Sequence, residues 1–215
     1  MGGVVGHMSK VQGDGARPPG GKARLVWAAV GMIAIVALVY GAFALVFKPA
    51  AAEGLGGLAK GDMAKLVVAT PTASSPGTLI EGPDGRSLKL ADLKGQVLVV
   101  NLWASWCAPC AKEMPTLARL QAQYRGKPVK VLAISLDKGD EGLEKAKARI
   151  AQNAPLGFYH APFDLAFALS PAVEALPTTI FYDRSGRERA RLTAPADWTK
   201  PEARALIDRL LALKD

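Results

Sequence analysis

The sequence predicts an α/β fold in which a central mixed sheet has helices on both faces and an N-terminal β-hairpin extension, preceded by one transmembrane helix. Three observations lead to this prediction. Two largely apolar runs, residues 97–103 and 129–137, are each followed by a helical pattern, and such runs are typical of strands buried in a parallel sheet. A second hairpin and a closing helix come after them. A long uncharged segment precedes the whole domain.

The transmembrane segment is the run from Leu25 to Phe47, which has 23 residues and no charged side chain. As a helix it would extend about 35 Å, against roughly 30 Å of bilayer hydrocarbon. Four positive side chains precede it: Lys10, Arg17, Lys22 and Arg24. By the positive-inside rule we expect residues 1–24 to be a disordered cytoplasmic tail and residues 25–47 to be an anchor in the inner membrane. A cleaved signal peptide is the alternative.

Small and polar residues dominate positions 48–76, which we expect to be a periplasmic linker. The folded domain then covers residues 77–215. It opens with two short extended runs on either side of Asp84 and Gly85, a pattern that predicts a hairpin.

The other elements follow in alternation. They are a strand at 97–103, a helix from Cys107 to about Tyr124, a strand at 129–137, a helix at 140–152, and a strand pair at 178–183 and 188–193. Thr199 and Glu202 have the spacing of a capping box for the last helix. This order predicts an open sheet covered by helices.

Composition narrows the function classes. Half of the 215 residues are apolar, so one compact domain with a substantial core is expected. The net charge is +8, but the predicted domain has no Lys/Arg cluster with interleaved aromatic residues, which argues against nucleic-acid binding.

Cys107 and Cys110 are the chain's two cysteines. A disulfide across so short a loop would stabilise the fold by only roughly 2 kcal/mol, against about 3 to 5 for long loops. Zinc is usually held by about four Cys or His ligands, and beyond the two cysteines the sequence offers His7 and His160. Haem attachment needs C-x-x-C-H, and residue 111 is Ala. Redox chemistry remains as the role of the two cysteines. The predicted export of the domain agrees with this role, because disulfides persist outside the cytoplasm.

The predicted position of the cysteines supports this chemistry. Cys107 would lie at a helix N-terminus, where free backbone N–H groups and the helix dipole favour a thiolate. We therefore expect Cys107 to be the nucleophile. Cys110, one turn further on and shielded, would resolve the mixed disulfide.

Three stretches resemble membrane-anchored, thioredoxin-like reductases of the TlpA family, related to the ResA and CcmG groups. They are VLVVNLWASWCAPCAKEMPTLARL (97–120), ALPTTIFYDRSGRERAR (175–191) and PADW (195–198), the last followed by a helix. The resemblance covers roughly residues 77–213. It implies a thioredoxin-like fold and thiol:disulfide oxidoreductase activity with no cofactor other than the redox-active disulfide.

The resemblance also implies roles for particular residues. Pro177 should be cis and pack against the sulfurs, and the backbone of Leu176 should pair with the substrate polypeptide. Glu113 should be a partly buried acid that exchanges a proton with the resolving thiol, because burial raises a carboxyl pKa toward the working pH. Asn101 replaces a buried aspartate of cytoplasmic thioredoxins, which leaves the proton transfer to Glu113 alone.

Three tryptophans and one histidine also have predicted positions. Trp106, beside Cys107, is expected to shield the disulfide and touch the partner, with simple packing as the alternative. Trp103 and Trp198 are expected in the core, and His160 on the surface.

The leading functional hypothesis is a periplasmic, membrane-anchored reductant of disulfides in envelope proteins, such as copper-handling proteins of cytochrome oxidase assembly. Its electrons would come from a membrane thiol-reducing transporter of the DsbD or CcdA kind. The alternatives are a cytochrome c maturation reductase of the CcmG kind, a copper-binding module, and an oxidase that donates disulfides. Thr178 argues against the CcmG kind, which typically has a glutamate directly after the cis-proline.

Overall fold

The computed structural model describes residues 27, 30–39, 41, 54–69, 77, 79–164 and 175–213. The chain divides after Lys48 into two units. In the first unit, residues 30–39 are helical and exposed. The rest of the expected anchor and the tail at 1–24 lie outside the described residues, apart from residues 27 and 41. Within the described part, no helix has both the length and the hydropathy needed to cross a bilayer.

Within the described residues of the second unit, eight strands form one mixed sheet. The strands are β1 (Leu66–Val68), β2 (Leu79–Glu81), β3 (Ser87–Lys89), β4 (Val97–Trp103), β5 (Val129–Ser135), β6 (Tyr159–His160), β7 (Thr178–Tyr182) and β8 (Glu188–Leu192). Their order is β1-β8-β7-β4-β5-β6-β2-β3. Strands β4, β5 and β6 are parallel, and the other neighbours are antiparallel. The predicted mixed α/β sheet is confirmed.

The centre of the sheet is apolar on both faces. Every residue of β4 is buried, because successive side chains point to opposite faces and each face has its own hydrophobic cluster. Val97 and Val99 belong to one cluster, and Leu98 and Val100 to the other. A fully buried Val or Leu contributes about 1.5–3 kcal/mol, so these two clusters hold β4 firmly in place.

Three α-helices contribute to the first cluster: α1 (Ala108–Gln123), α2 (Gly139–Ala151) and α3 (Pro201–Leu211). On the second face, the described residues contribute the 3-10 turn Leu90–Leu93 and the partly buried Phe163. The described α-helices therefore cover one face. Of the prediction that helices cover both faces, the described residues confirm the part that concerns this face.

The predicted hairpin about Asp84 and Gly85 is present as β2 and β3. Gly85 has φ +75°, in the left-handed region that favours glycine. The hairpin joins the sheet through β2, where Glu81 pairs with His160 of β6.

The expected linker at 48–76 is wrong over residues 54–69. Leu55, Met63 and Leu66 are buried in the first cluster, and β1 pairs antiparallel with β8. The domain therefore begins before residue 77. Two single-turn 3-10 helices and a three-residue strand are too short to show hydrophobic periodicity, so the sequence pattern resembled a linker.

The predicted capping box is also wrong. The backbone N–H and Oγ1 of Thr199 both bind Oδ1 of Asp197, at 2.9 and 2.6 Å. Helix α3 begins after Lys200 with Pro201 in its first turn. A side-chain turn at Asp197 competes for the Thr199 groups, and proline is well suited to a first helical position, which needs no N–H donor.

Candidate active site

The two cysteines lie where β4 leads into α1. They form a disulfide with their Cα atoms 5.3 Å apart. Cys107 is the N-cap of α1, and its Sγ accepts a hydrogen bond from the backbone N–H of Cys110 at 3.3 Å. Cys107 is 6% exposed and Cys110 is completely buried. The helix N-terminus therefore points a donor at Cys107, an arrangement that favours a thiolate there when the pair is reduced.

Glu113 lies one turn beyond Cys110 on α1 and is 2% exposed. Its carboxylate accepts three hydrogen bonds. Oε1 accepts from Asn101 Nδ2 at 2.7 Å, and Oε2 accepts from the Ala196 N–H at 3.2 Å and from Trp198 Nε1 at 3.3 Å. Desolvation raises the pKa of Glu113 from an ordinary 4.5 to about 7, although all three hydrogen bonds lower it. A carboxyl group with this pKa can take or give a proton near neutral pH.

Asn101 contributes more to the site than the sequence predicted. Its Nδ2 also contacts Oγ1 of Thr179 on β7 at 3.0 Å, while its buried Oδ1 has no hydrogen-bond partner among the residues that the structure describes. Asn101 thus links Glu113 to the neighbouring strand without adding a charge. Glu113 is the carboxylate here, as expected, but it is held by a neutral amide from the sheet.

Sequence reasoning missed the loop that precedes α3. Trp198 was expected in the core, and it is completely buried, but it also donates to Glu113. The Ala196 donor is a backbone amide, which no residue type could have revealed. The one available signal was PADW, which carried part of the resemblance.

Pro177 lies just before β7, and its peptide bond with Leu176 is cis, as the resemblance implied. Leu176 is half-buried and Pro177 is buried. Strand β7 pairs with β4 so that Thr178 is opposite Leu102, close to the end of β4 that leads to the cysteines. The fold therefore places the proline loop near the disulfide.

The other aromatic positions can now be compared with their expectations. Trp106 is 66% exposed and Trp103 is completely buried. His160 was expected on the surface, but its side chain is only 16% exposed. Its Nε2 lies 3.0 Å from the carbonyl oxygen of Asp137, because pairing with β5 and β2 draws the short strand β6 into the sheet.

Two cavities flank the disulfide-bearing turn. One of about 440 Å³ reaches Glu113, and its other lining residues are Asp62, Pro109, Lys112, Thr116, Pro195, Ala196 and Asp197. A second, of about 680 Å³, lies beside Trp106 and Asp137. Glu113 therefore lines a cavity although its side chain is almost completely covered.

Comparison with known proteins agrees with this geometry. Residues 61–207 match the family described as Redoxin. The chain is similar to the thiol-disulfide oxidoreductase ResA of Bacillus thuringiensis (strain Al Hakam), with 27% identity over 53% of this chain and 64% of that protein. It is also similar to ResA of Geobacillus thermodenitrificans, with 28% identity over 56% of this chain and 68% of that protein. The match thus spans somewhat less than two thirds of the first relative.

Solved structures show the same fold. A putative thiol:disulfide interchange protein DsbE from Chlorobium tepidum has a TM-score of 0.56 and 26% identity, covering 65% of this chain and 96% of that one. A DsbF homologue from Corynebacterium diphtheriae has a TM-score of 0.55 and 26% identity, covering 69% of this chain and 93% of that one. The similarities confirm the resemblance to the thioredoxin-like TlpA, ResA and CcmG group. Because the family match covers residues 61–207 of 215, the chain belongs to the redoxin family, with a thioredoxin-like fold.

Proposed function

We propose that this protein is a thiol:disulfide oxidoreductase that acts mainly as a reductant of disulfides in envelope proteins. One observation carries the proposal: a C-x-x-C disulfide caps helix α1, and a buried Glu113 with a pKa of about 7 lies one turn further along the same helix. The similarity to proteins described as thiol-disulfide oxidoreductases supports the same activity.

The first step uses the reduced pair. The Cys107 thiolate attacks one sulfur of the substrate disulfide, which forms a mixed disulfide and breaks the substrate S–S bond. The departing substrate sulfur leaves as a thiolate and takes up a proton. The N–H groups at the start of α1, including that of Cys110, stabilise the attacking thiolate.

The second step releases the product. The Cys110 thiol gives its proton to the Glu113 carboxylate, and the resulting thiolate attacks Sγ of Cys107. The Cys107–Cys110 disulfide forms, and the second substrate sulfur leaves as a thiolate. Two electrons have then passed from the enzyme to the substrate. A base with a pKa of about 7 suits this step, because it is substantially ionised near neutral pH yet readily protonated.

The substrate polypeptide would bind beside the disulfide. Leu176, immediately before the cis Pro177, offers backbone groups that pair with an extended chain, as in strand addition at a sheet edge. The exposed Trp106, which directly precedes Cys107, supplies an aromatic surface. An amphipathic ring of this size contributes contact area with little loss of side-chain entropy.

We place the domain in the periplasm, tethered to the inner membrane by residues 25–47. A tether raises the local concentration of the enzyme near membrane-bound partners. A membrane thiol transporter of the DsbD or CcdA kind would reduce the Cys107–Cys110 disulfide. The substrates would be oxidised copper-handling proteins of cytochrome oxidase assembly, with apocytochrome c as the alternative.

Trapping experiments test the activity and identify the partners. Cys107→Ser removes the nucleophile and should abolish disulfide exchange, whereas the matched variant Cys110→Ser keeps it and should accumulate a mixed disulfide. Mass spectrometry of the trapped species separates copper-handling partners from apocytochrome c. Full exchange activity in Cys107→Ser would refute the assignment. Tight copper binding without exchange activity would instead favour a copper-binding module.

The direction of electron flow is tested by the reduction potential of the pair. Equilibration in glutathione or dithiothreitol buffers should give a value near or below about −230 mV, on the reducing side of the scale. A value near −120 mV, where the strong oxidant DsbA lies, would show that the protein donates disulfides.

A further inference from the structure

Asp62 belongs to the segment that was predicted to be a linker, and it contacts the loop before α3. It lies in the 3-10 turn Gly61–Met63, which Met63 fastens to the core because its side chain is completely buried. Oδ2 of Asp62 accepts a hydrogen bond from the backbone N–H of Asp197 at 2.9 Å. Oδ1 accepts a second from Nζ of Lys200 at 2.9 Å. Asp62 thus joins the N-terminal turn to residues 197–200.

Asp197, which donates its backbone N–H to Asp62, lies in the chain between the two residues of this loop that donate to Glu113. The Ala196 N–H and Trp198 Nε1 both donate to Oε2 of Glu113, and Asp197 connects these two residues. A shift of Asp197 therefore moves both donors, because Ala196 and Trp198 are its two neighbours in the chain. Asn101, the third donor, belongs to β4 and does not depend on this loop.

We infer that Asp62 is a positioning residue for Glu113, acting through its hydrogen bond to Asp197 to hold the Ala196 and Trp198 donors against the carboxylate. The importance of Glu113 in turnover rests on the proposed function. The contact between Asp62 and Asp197 does not depend on it. It assigns the residues before β1 a part in the active site rather than in tethering alone.

The charged and titratable surroundings of Glu113 come from several elements. The groups that line its cavity are Lys112 of α1, Asp62 of the 3-10 turn and Asp197 of the loop, with Lys200 bound to Asp62, and with the uncharged Asn101 and Thr179 on the strands. In the oxidised protein the cysteines do not titrate. The hydrogen bond from Asp197 is the main reason that the pKa of Asp62 is lowered, with the Lys200 bond next. Asp62 is therefore a carboxylate, and thus a strong acceptor, near neutral pH.

The direction of the expected effect follows from these contacts. The bonds from Ala196 and Trp198 both lower the pKa of Glu113, because they stabilise its charged form. Asp62→Ala removes the acceptor that holds Asp197, so both bonds weaken and the pKa rises. We expect a threefold to tenfold change in the protonation equilibrium, which is about 0.5–1 pH unit. Loss of the Asp62 charge alone would lower the pKa instead, so the sign separates the two causes.

The test is a carboxyl NMR titration of the full-length, oxidised chain in detergent, with ¹³C-labelled glutamate and Glu113→Gln to identify the resonance. Asp62→Ala should move the Glu113 midpoint upward. Asp62→Asn keeps an oxygen acceptor but loses the charge, so its Glu113 midpoint should stay at or slightly below the wild-type value. Lys200→Ala leaves the bond from Asp197 to Asp62 in place, so its Glu113 midpoint should rise less than that of Asp62→Ala. The Asp62 side chain is 30% exposed, so the fold should tolerate these changes.

An Asp62→Ala midpoint that is unchanged or moves downward overturns the inference. A shift of the same size in Asp62→Asn also overturns it, because the acceptor would then be irrelevant. The proposed function has a separate test, since wild-type protein without disulfide exchange would refute that proposal and leave this NMR result intact.

Discussion

Replacing Glu113 by Gln should change how the stability of the oxidised protein depends on pH. Glu113 is 2% exposed, and burial raises its pKa from 4.5 to about 7. The folded state therefore holds this proton more tightly than the unfolded chain does. The stabilisation by the neutral acid is fully present below pH 4.5 and is lost as the pH rises through about 7.

The magnitude follows from the rise in pKa. At about 1.4 kcal/mol per pKa unit, the rise from 4.5 to about 7 amounts to about 3 kcal/mol. Wild-type protein should lose this much relative to Glu113→Gln between pH 4 and pH 9. Any constant cost of fitting the Gln amide among three donors cancels in this comparison, because it does not vary with pH.

The assay is guanidinium unfolding of both oxidised proteins at a series of pH values, followed by tryptophan fluorescence. The matched control is Glu144→Gln on α2, whose side chain is 74% exposed, so water hydrates that carboxylate in both states. The free energy of unfolding of wild type should fall relative to that of Glu113→Gln as the pH rises. The corresponding difference between wild type and Glu144→Gln should stay nearly constant. A flat or oppositely sloped difference for Glu113→Gln would refute the reasoning about burial.

Two other predictions concern the segment before β1 and the disulfide's neighbour. Met63→Ala should lower the free energy of unfolding by about 2–5 kcal/mol, because it empties a fully buried site. The control Val67→Ala, at a side chain that is 65% exposed, should change it by no more than about 0.5 kcal/mol. Equal costs for the two variants in urea unfolding would show that the segment is a linker. Trp106→Ala should leave the free energy of unfolding nearly unchanged, because the ring is 66% exposed. It should raise KM for a protein disulfide more than KM for a small-molecule disulfide. Equal changes in KM for both substrates would limit Trp106 to packing.

The elements with strong periodicity were predictable from the sequence. Strand β4 was visible as an unbroken apolar run, and α1 was predicted from Cys107 to about Tyr124, against the observed Ala108–Gln123. Strand β1 was not predictable, because three residues cannot show an alternation that distinguishes them from a loop. The start of α3 was misplaced because local bonding at Asp197 competes with the capping box, and Thr199 has the right residue type for either arrangement.

The sequence by itself determined which reactive groups the candidate site contains, because the C-x-x-C pair, its place after a buried strand and the glutamate one turn later are all local in the chain. Local order is enough to place Cys107 at a helix N-terminus and Glu113 on the same helix. Only the tertiary structure decided what surrounds Glu113. Its donors Asn101, Ala196 and Trp198 lie 12, 83 and 85 residues away, and they meet because strand pairing and core packing bring distant segments together. Burial and hydrogen bonding set a carboxyl pKa through such neighbours.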